Sequence, residues 1–275
     1  MNASLLSLFA CPVCGAPLAN SADGKSTLCT GIRPHCFDYS KSGYLNLAGA
    51  HGGEGDGKAA VRARRTFLEA GYYRKLSDRI NALLDDLHAG TVLDAGCGEG
   101  YYTNRMAKDR EVIGVDLSRD GIDAAAKKAR ATASGAAFSV GSIFHLPVQS
   151  AAFDVVTNLF APCAEEEFVR VLKPSGTLIL VGAGERHLFG LKELLYDTPY
   201  LNPGRADLPV RMRQVARYRL SDVIDVEGNE QVAALFSMTP YYWRTSPKDQ
   251  EKLNGIRHLK TEIDFDIFLY GKEPQ

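Results

Sequence analysis

Across residues 58–87, Val61, Phe67, Leu68, Leu76, Ile80, Leu83, Leu84 and Leu87 recur every three or four positions, the spacing of an amphipathic helix. Gly71 predicts a break into two helices. From Thr91 the pattern changes. Short β-rich runs at 91–95, 111–116, 137–140, 153–159 and 177–181 alternate with helix-like segments at 101–108, 119–133 and 165–171. Such alternation predicts a parallel sheet with right-handed crossovers and helices on both faces. Two further helix-like stretches, 188–196 and 230–238, flank a proline-punctuated region from Pro199 to Pro209. The run 263–270 opens with apolar side chains alternating with acids and predicts a last edge strand. The first 47 residues carry no helical period and are rich in cysteine and turn residues.

Composition narrows this picture. The 275 residues are 45% hydrophobic and 24% charged, which excludes a disordered or fibrous chain. A formal net charge of -1 excludes a uniformly basic surface but leaves room for basic patches. No run of about 20 apolar residues exists, so no membrane span is expected. The start lacks the basic region of a secretory signal, which makes a reducing cytoplasm the expected location. In that setting clustered cysteines favour metal over disulfides. Cys11, Cys14, Cys29 and Cys36 form such a cluster, and Cys97 and Cys163 lie far from it. Gly49, Gly52, Gly53, Gly55 and Gly57 then read as a linker, giving an organisation of 1–48, a linker over 49–60, and a main domain over 61–275.

The segment from Val92 to Gly100 is a buried strand ending in Asp94, followed by the G-x-G-x-G turn of Gly96, Gly98 and Gly100 and then a helix. Glycines let the backbone approach a ligand closely. Asp116, at the end of the next strand, suits ribose hydroxyls, because a carboxylate accepts two hydrogen bonds. The spacing fails the dinucleotide fingerprint, and Asp94 would repel a pyrophosphate but suit a cationic ligand. The pattern resembles motif I of class I S-adenosylmethionine (SAM)-dependent methyltransferases. By the same resemblance, residues 141–147 form the adenine loop, with the backbone near Ile143 as its contact.

Cys11-Pro12-Val13-Cys14 places two soft ligands on one turn, and Cys29 with either His35 or Cys36 supplies a second pair. Two such pairs can close a tetrahedral Zn2+ site, which with four protein ligands would be structural. So short a segment has little core, and metal would contribute most of its folding energy. A redox C-x-x-C is the alternative, but no thioredoxin-like pattern surrounds it.

Together with the run from Phe37 to Leu47 (F-D-x-x-K-x-G-Y-x-N-L), these motifs resemble one family, the bacterial 23S ribosomal RNA guanine-N1 methyltransferases. Further matching stretches are 63–73, 94–103, 160–163, 186–188 and 238–244. The resemblance implies a Rossmann-like class I fold with a mainly parallel seven-stranded sheet and a small N-terminal zinc-binding domain that helps to recognise RNA. It implies methyl transfer to guanine N1 in the helix 35 hairpin, a homodimer, and zinc on Cys11, Cys14, Cys29 and His35. It places cofactor contacts on Tyr73, Gly98, Glu99, Asp116 and His187, beside Asp94, Gly96, Gly100 and Ile143 of the motifs, and sets the target base near Asn158, Phe160 and Pro162.

Two basic runs could neutralise phosphates: one holding Arg62, Arg64, Arg65 and Arg74, the other Arg205, Arg211, Arg213, Arg217 and Arg219. The competing reading is a class I methyltransferase acting on a small molecule, with the zinc segment as a structural lid. Binding that weakens steeply with salt would favour RNA.

Overall fold

The computed structural model describes residues 1–49 and 55–272, so the expected linker, which includes Gly52 and Gly53, lies partly outside the described residues. A short helix, α1 (Ala3–Ser7), opens the chain, capped by the Asn2 side chain accepting from Leu5 N at 2.8 Å. Strands β1 (Leu18–Asn20), β2 (Ser26–Cys29) and β3 (Cys36–Asp38) form an antiparallel three-stranded ribbon. The two-residue β4 (Leu45–Asn46) follows. Helices α2 (Lys58–Glu69) and α3 (Arg74–Asp86) fall on either side of Gly71, as the spacing predicts.

The main domain then runs β5 (Thr91–Ala95), α4 (Tyr101–Met106), β6 (Glu111–Asp116), α5 (Arg119–Thr132), β7 (Ala137–Val140), β8 (Phe153–Leu159), α6 (Glu165–Val171), β9 (Leu172–Ala183) and α7 (Phe189–Leu195). It ends with β10 (Met212–Glu227), α8 (Asn229–Ser237), the short α9 (Tyr241–Arg244) and α10 (Pro247–Gln250), and β11 (His258–Lys272). The sheet order is β10-β11-β9-β8-β5-β6-β7-β4. Among the described residues seven strands belong to the main domain, as expected of the class I fold, and β11 is antiparallel to both its neighbours. The eighth strand, β4, comes from the N-terminal segment and pairs parallel with β7 through Leu45 and Ser139. Because β5 pairs with both β6 and β8, the chain reverses direction across the sheet at β5, and a ligand crevice opens at the carboxyl ends of these strands.

The N-terminal segment shares a core with the main domain. Leu5, Leu6, Phe9 and Leu45 pack in one cluster with Val115, Leu146, Val148 and Phe168. Main-chain bonds reinforce the join, with Ala10 N donating to Pro147 O at 2.9 Å and Gln149 N to Leu8 O at 2.8 Å. Most of the F-D-x-x-K-x-G-Y-x-N-L run docks on α5 and β7. Ser42 Oγ donates to Asp123 at 2.6 Å, Arg130 donates to Lys41 O at 2.8 Å, and Tyr44 packs with Ile122 and Phe138.

One expectation is corrected. The alternating run 263–270 is an interior part of β11, and the edge strand is β10. Ile263, Phe265, Ile267 and Leu269 face one core cluster and Phe268 and Tyr270 the other. The acids between them are buried because β10 neutralises them: Arg219 meets Asp264 with two contacts of 2.7 Å, and Arg217 meets Asp266 at 2.9 Å. These arginines belong to the second basic run, so their charge is spent within the sheet rather than on phosphates.

Candidate cofactor cleft and zinc site

The turn after β5 can only be built from small residues. Gly96 has φ +84°, and a Cβ there would lie 2.5 Å from the Ala161 Cβ. Gly100 has φ +74° and would bring a Cβ within 2.6 Å of the Ala125 Cβ. Left-handed backbone together with a closed approach makes glycine the residue that fits at both. The turn is pinned to Asp116, whose carboxylate accepts from Gly98 N at 2.9 Å and Ser118 N at 2.7 Å. Asp94 is 2% exposed and accepts from Thr103 Oγ1 at 2.5 Å and Thr157 Oγ1 at 2.9 Å. Burial pushes its carboxyl up to about 6 despite those bonds. Glu99 is likewise pushed up to about 7 by burial, opposed by Arg64, and burial raises Asp116 as well. Three carboxyls with weakened acidity converge on one cleft, an arrangement that favours a ligand carrying positive charge.

Across the cleft, Tyr73 Oη lies 3.1 Å from His187 Nε2, with both side chains buried. Asp264 N donates to His187 Nδ1 at 3.2 Å. An acceptor at Nδ1 leaves the proton on Nε2, which donates to the tyrosine. Burial holds the imidazole well below its ordinary range, at about 3, so the ring is neutral near neutrality and both nitrogens are engaged. Ile143 is buried after β7, where Gly141 N donates to Asp116 O at 3.0 Å.

At the carboxyl end of β8, Phe160 has φ +58°, a conformation uncommon for a bulky residue, and its ring is 44% exposed. Asn158, expected near the target base, is buried. Its amide donates to Ala95 O at 3.0 Å and Pro162 O at 3.1 Å, and its Oδ1 accepts from Arg205 Nη2 at 3.1 Å. Its polar atoms are used within the protein, so it shapes the pocket wall. Asp154 serves the fold at the opposite end of β8: it accepts from the Gly90 and Thr91 amides and pairs with Lys173 at 2.8 Å.

The structure separates the four arginines expected to meet RNA. Arg64 turns inward, its guanidinium 2.5 Å from Asp56 and 3.4 Å from Glu99, so it belongs to the cofactor cleft and not to an outer face. The basic run that holds Arg64 gives no sign of a partner 35 residues away. Arg62, Arg65 and Arg74 stay exposed. Arg65 and Arg74 line a groove of about 1020 Å³ that begins at Glu99 and Gly100 and also holds Arg105, Lys108 and Lys128, cations outside the expected runs. Arg205 is largely covered beside Asn158, with 10% of its side chain exposed.

In the ribbon, the ligand atoms of Cys11, Cys14, Cys29 and His35 all lie within 4.8 Å of one another. Cys14 Sγ is 3.6 Å from Cys29 Sγ, and His35 Nδ1 is 3.6 Å from Cys11 Sγ and 3.4 Å from Cys29 Sγ. A tetrahedron with zinc–sulfur bonds of about 2.3 Å has edges of about 3.8 Å, so the donor set fits Zn2+. The His35 amide donates to Cys29 Sγ at 3.1 Å and is the main cause that lowers this thiol to about 6, favouring the thiolate a metal needs. Cys36 is exposed at the start of β3 and outside the group.

Comparison with known proteins matches both modules of the chain. A family model described as the RlmA N-terminal zinc ribbon matches residues 9–51, and one described as a methyltransferase domain matches 87–216. A Bacillus subtilis protein, YxjB, provisionally named a 23S rRNA (guanine-N1)-methyltransferase, is 32% identical, with 96% of each chain covered. The Streptomyces fradiae 23S rRNA (guanine(748)-N1)-methyltransferase is 27% identical over 97% of this chain and 98% of its own. A solved Pyrococcus horikoshii structure shares the fold, with TM-score 0.51 and 19% identity over 79% of this chain and all of its own. Alike from the zinc ribbon to the last strand, the chain belongs to the 23S rRNA (guanine-N1)-methyltransferase family, whose SAM-dependent chemistry and zinc it shares.

Proposed function

We propose that this enzyme methylates N1 of a guanine in the helix 35 hairpin of 23S rRNA, with the zinc ribbon contacting the RNA. The end-to-end likeness to rRNA guanine-N1 methyltransferases, zinc ribbon included, carries this reading. The guanine at position 748, for which the Streptomyces fradiae relative is named, is the first to examine. The target base leaves its stack to expose N1 and lies against the exposed Phe160 ring and Pro162. Bound SAM supplies an electrophilic methyl on a cationic sulfur. Asp116 holds the ribose hydroxyls, Ile143 the adenine side, and Tyr73 with neutral His187 closes the opposite wall. The cofactor held there would give its methyl to N1 and leave as the neutral thioether, and the N1 proton would pass to solvent. His187 does not take it, because both ring nitrogens are bonded within the protein. Positioning supplies the rest.

The exposed Arg62, with Arg65 and Arg74 of the groove, neutralises phosphates, Arg65 and Arg74 exchanging their surface partners Glu69 and Asp78 for the RNA. A homodimer, sedimenting at twice the chain mass, and a cytoplasmic location are part of this proposal. Among the described residues no helix is long and apolar enough to cross a membrane. Mass mapping of 23S rRNA from a deletion strain tests the function directly. One guanine loses a methyl group; an unchanged map would move the assignment to a small-molecule acceptor.

The cleft carboxyls give a pH signature. Asp94 and Glu99, pushed up to about 6 and about 7, hold protons at pH 5.5 and release them by pH 8. A cationic ligand favours the ionised forms, so binding expels protons and affinity rises with pH. SAM should bind ~10-fold more tightly at pH 8 than at pH 5.5. S-adenosylhomocysteine, which lacks the sulfonium charge, should gain less. Equal pH slopes for the two ligands by calorimetry would refute the role of these acids.

A further inference from the structure

The segment between α7 and β10 contains the prolines but forms no helix or strand over residues 198–210. It lies at the carboxyl ends of β8 and β9 and is fastened at two points. Asn202 accepts from Lys192 Nζ at 2.7 Å and Tyr241 Oη at 2.7 Å, and its amide donates to Gly184 O at 3.1 Å and His187 O at 2.9 Å. Three residues on, the Arg205 guanidinium donates to Val181 O at 2.9 Å, Ala161 O at 2.5 Å and Asn158 Oδ1 at 3.1 Å. Asp207 completes the arrangement. It pairs with Arg205 at 2.6 Å, and its other oxygen accepts from Cys163 N at 2.8 Å.

These contacts bracket Phe160. Asn158 and Ala161 are held by Arg205, Cys163 is held by Asp207, and Phe160 N itself donates to Val181 O at 3.1 Å, the same carbonyl that Arg205 reaches. A left-handed backbone at a phenylalanine persists only where its surroundings over-determine it. A planar guanidinium with fixed donors, held at its rim by a carboxylate, supplies that constraint where a lysine would not.

We propose that Arg205 and Asp207 are positioning residues for the target base: as one clamp they fix the 158–163 segment and hold the Phe160 ring at the mouth of the base pocket. The role in base positioning rests on the placement of the base against Phe160 given above; the clamp on the segment does not. Neither residue touches the reacting atoms. Their effect on the acceptor runs through the Phe160 ring, and the cofactor affinity is measured beside it because Ala161 also packs near Gly96.

The test compares Arg205→Met and Asp207→Ala with the native full-length enzyme. Asp207 is on the rim, so its variant guards against a fold lost through Arg205. Hydrogen exchange of residues 158–163 should quicken at least tenfold in both. Turnover on unmodified 23S rRNA at saturating SAM should fall about 10- to 100-fold, with KM for the RNA and calorimetric affinity for S-adenosylhomocysteine within about threefold of native. Unchanged exchange would overturn the clamp. Faster exchange with native turnover would overturn the positioning role, and so would a matching loss of cofactor affinity, which a general structural defect would produce. A Phe160→Gly enzyme reports separately on the base. It tolerates φ +58° without strain, and native turnover in it would refute the placement of the base, while exchange still reads the clamp.

Discussion

Asp116→Ala should weaken S-adenosylhomocysteine binding at least 100-fold by calorimetry. The carboxylate accepts from Gly98 N and Ser118 N, so it fixes the glycine turn, and under the proposed function its remaining lone pairs accept from the ribose hydroxyls. Alanine would remove the acceptors for the ribose hydroxyls and would leave the Gly98 amide unpaired. Hydrogen bonds to a charged group contribute about 1.5–3 kcal/mol each, and two of them account for the expected loss. Asp116→Asn, which keeps one acceptor, should fall between. An affinity within threefold of native in the alanine variant would sink the ribose assignment.

Cys14→Ser should reduce bound zinc from one per chain to near zero by elemental analysis, and turnover on 23S rRNA at least 100-fold. The ribbon is built from strands of three or four residues, and much of its interior is the ligand set itself. Structural zinc contributes about 10–16 kcal/mol in comparable small modules, far more than such strands supply. The cofactor cleft draws on other elements, so S-adenosylhomocysteine affinity should stay within about threefold. Full zinc retention would refute the site. Native turnover by the zinc-free variant would refute the ribbon's part in RNA recognition.

What could be seen in the sequence had a local cause. The strand-helix alternation and the break at Gly71 emerge as predicted because hydrophobic spacing reflects which face is buried. The glycine turn was recognisable because positive φ and a 2.5 Å approach leave little choice of residue. What could not be seen depended on distant partners. Asp264 and Asp266 give β11 the pattern of a half-exposed strand, yet arginines more than forty positions earlier bury them. Arg64 and Arg205 look like surface cations within basic runs, but Glu99, Asp56, Asp207 and main-chain carbonyls draw them in. The F-D-x-x-K-x-G-Y-x-N-L run marked the family without revealing that much of it docks the ribbon onto α5.

The pairing of β4 with β7 also sets an order of assembly. The ribbon's ligands are made within the first 35 residues, so zinc can close it while the ribosome is still translating the chain. Leu45, however, finds its strand partner at Ser139 only after roughly ninety further residues have been made, a non-local contact of the kind that slows folding. Until then one face of the nascent chain keeps Leu5, Leu6 and Phe9 uncovered. Chaperone demand should therefore peak late in synthesis, with a ribbon already metallated but not yet docked.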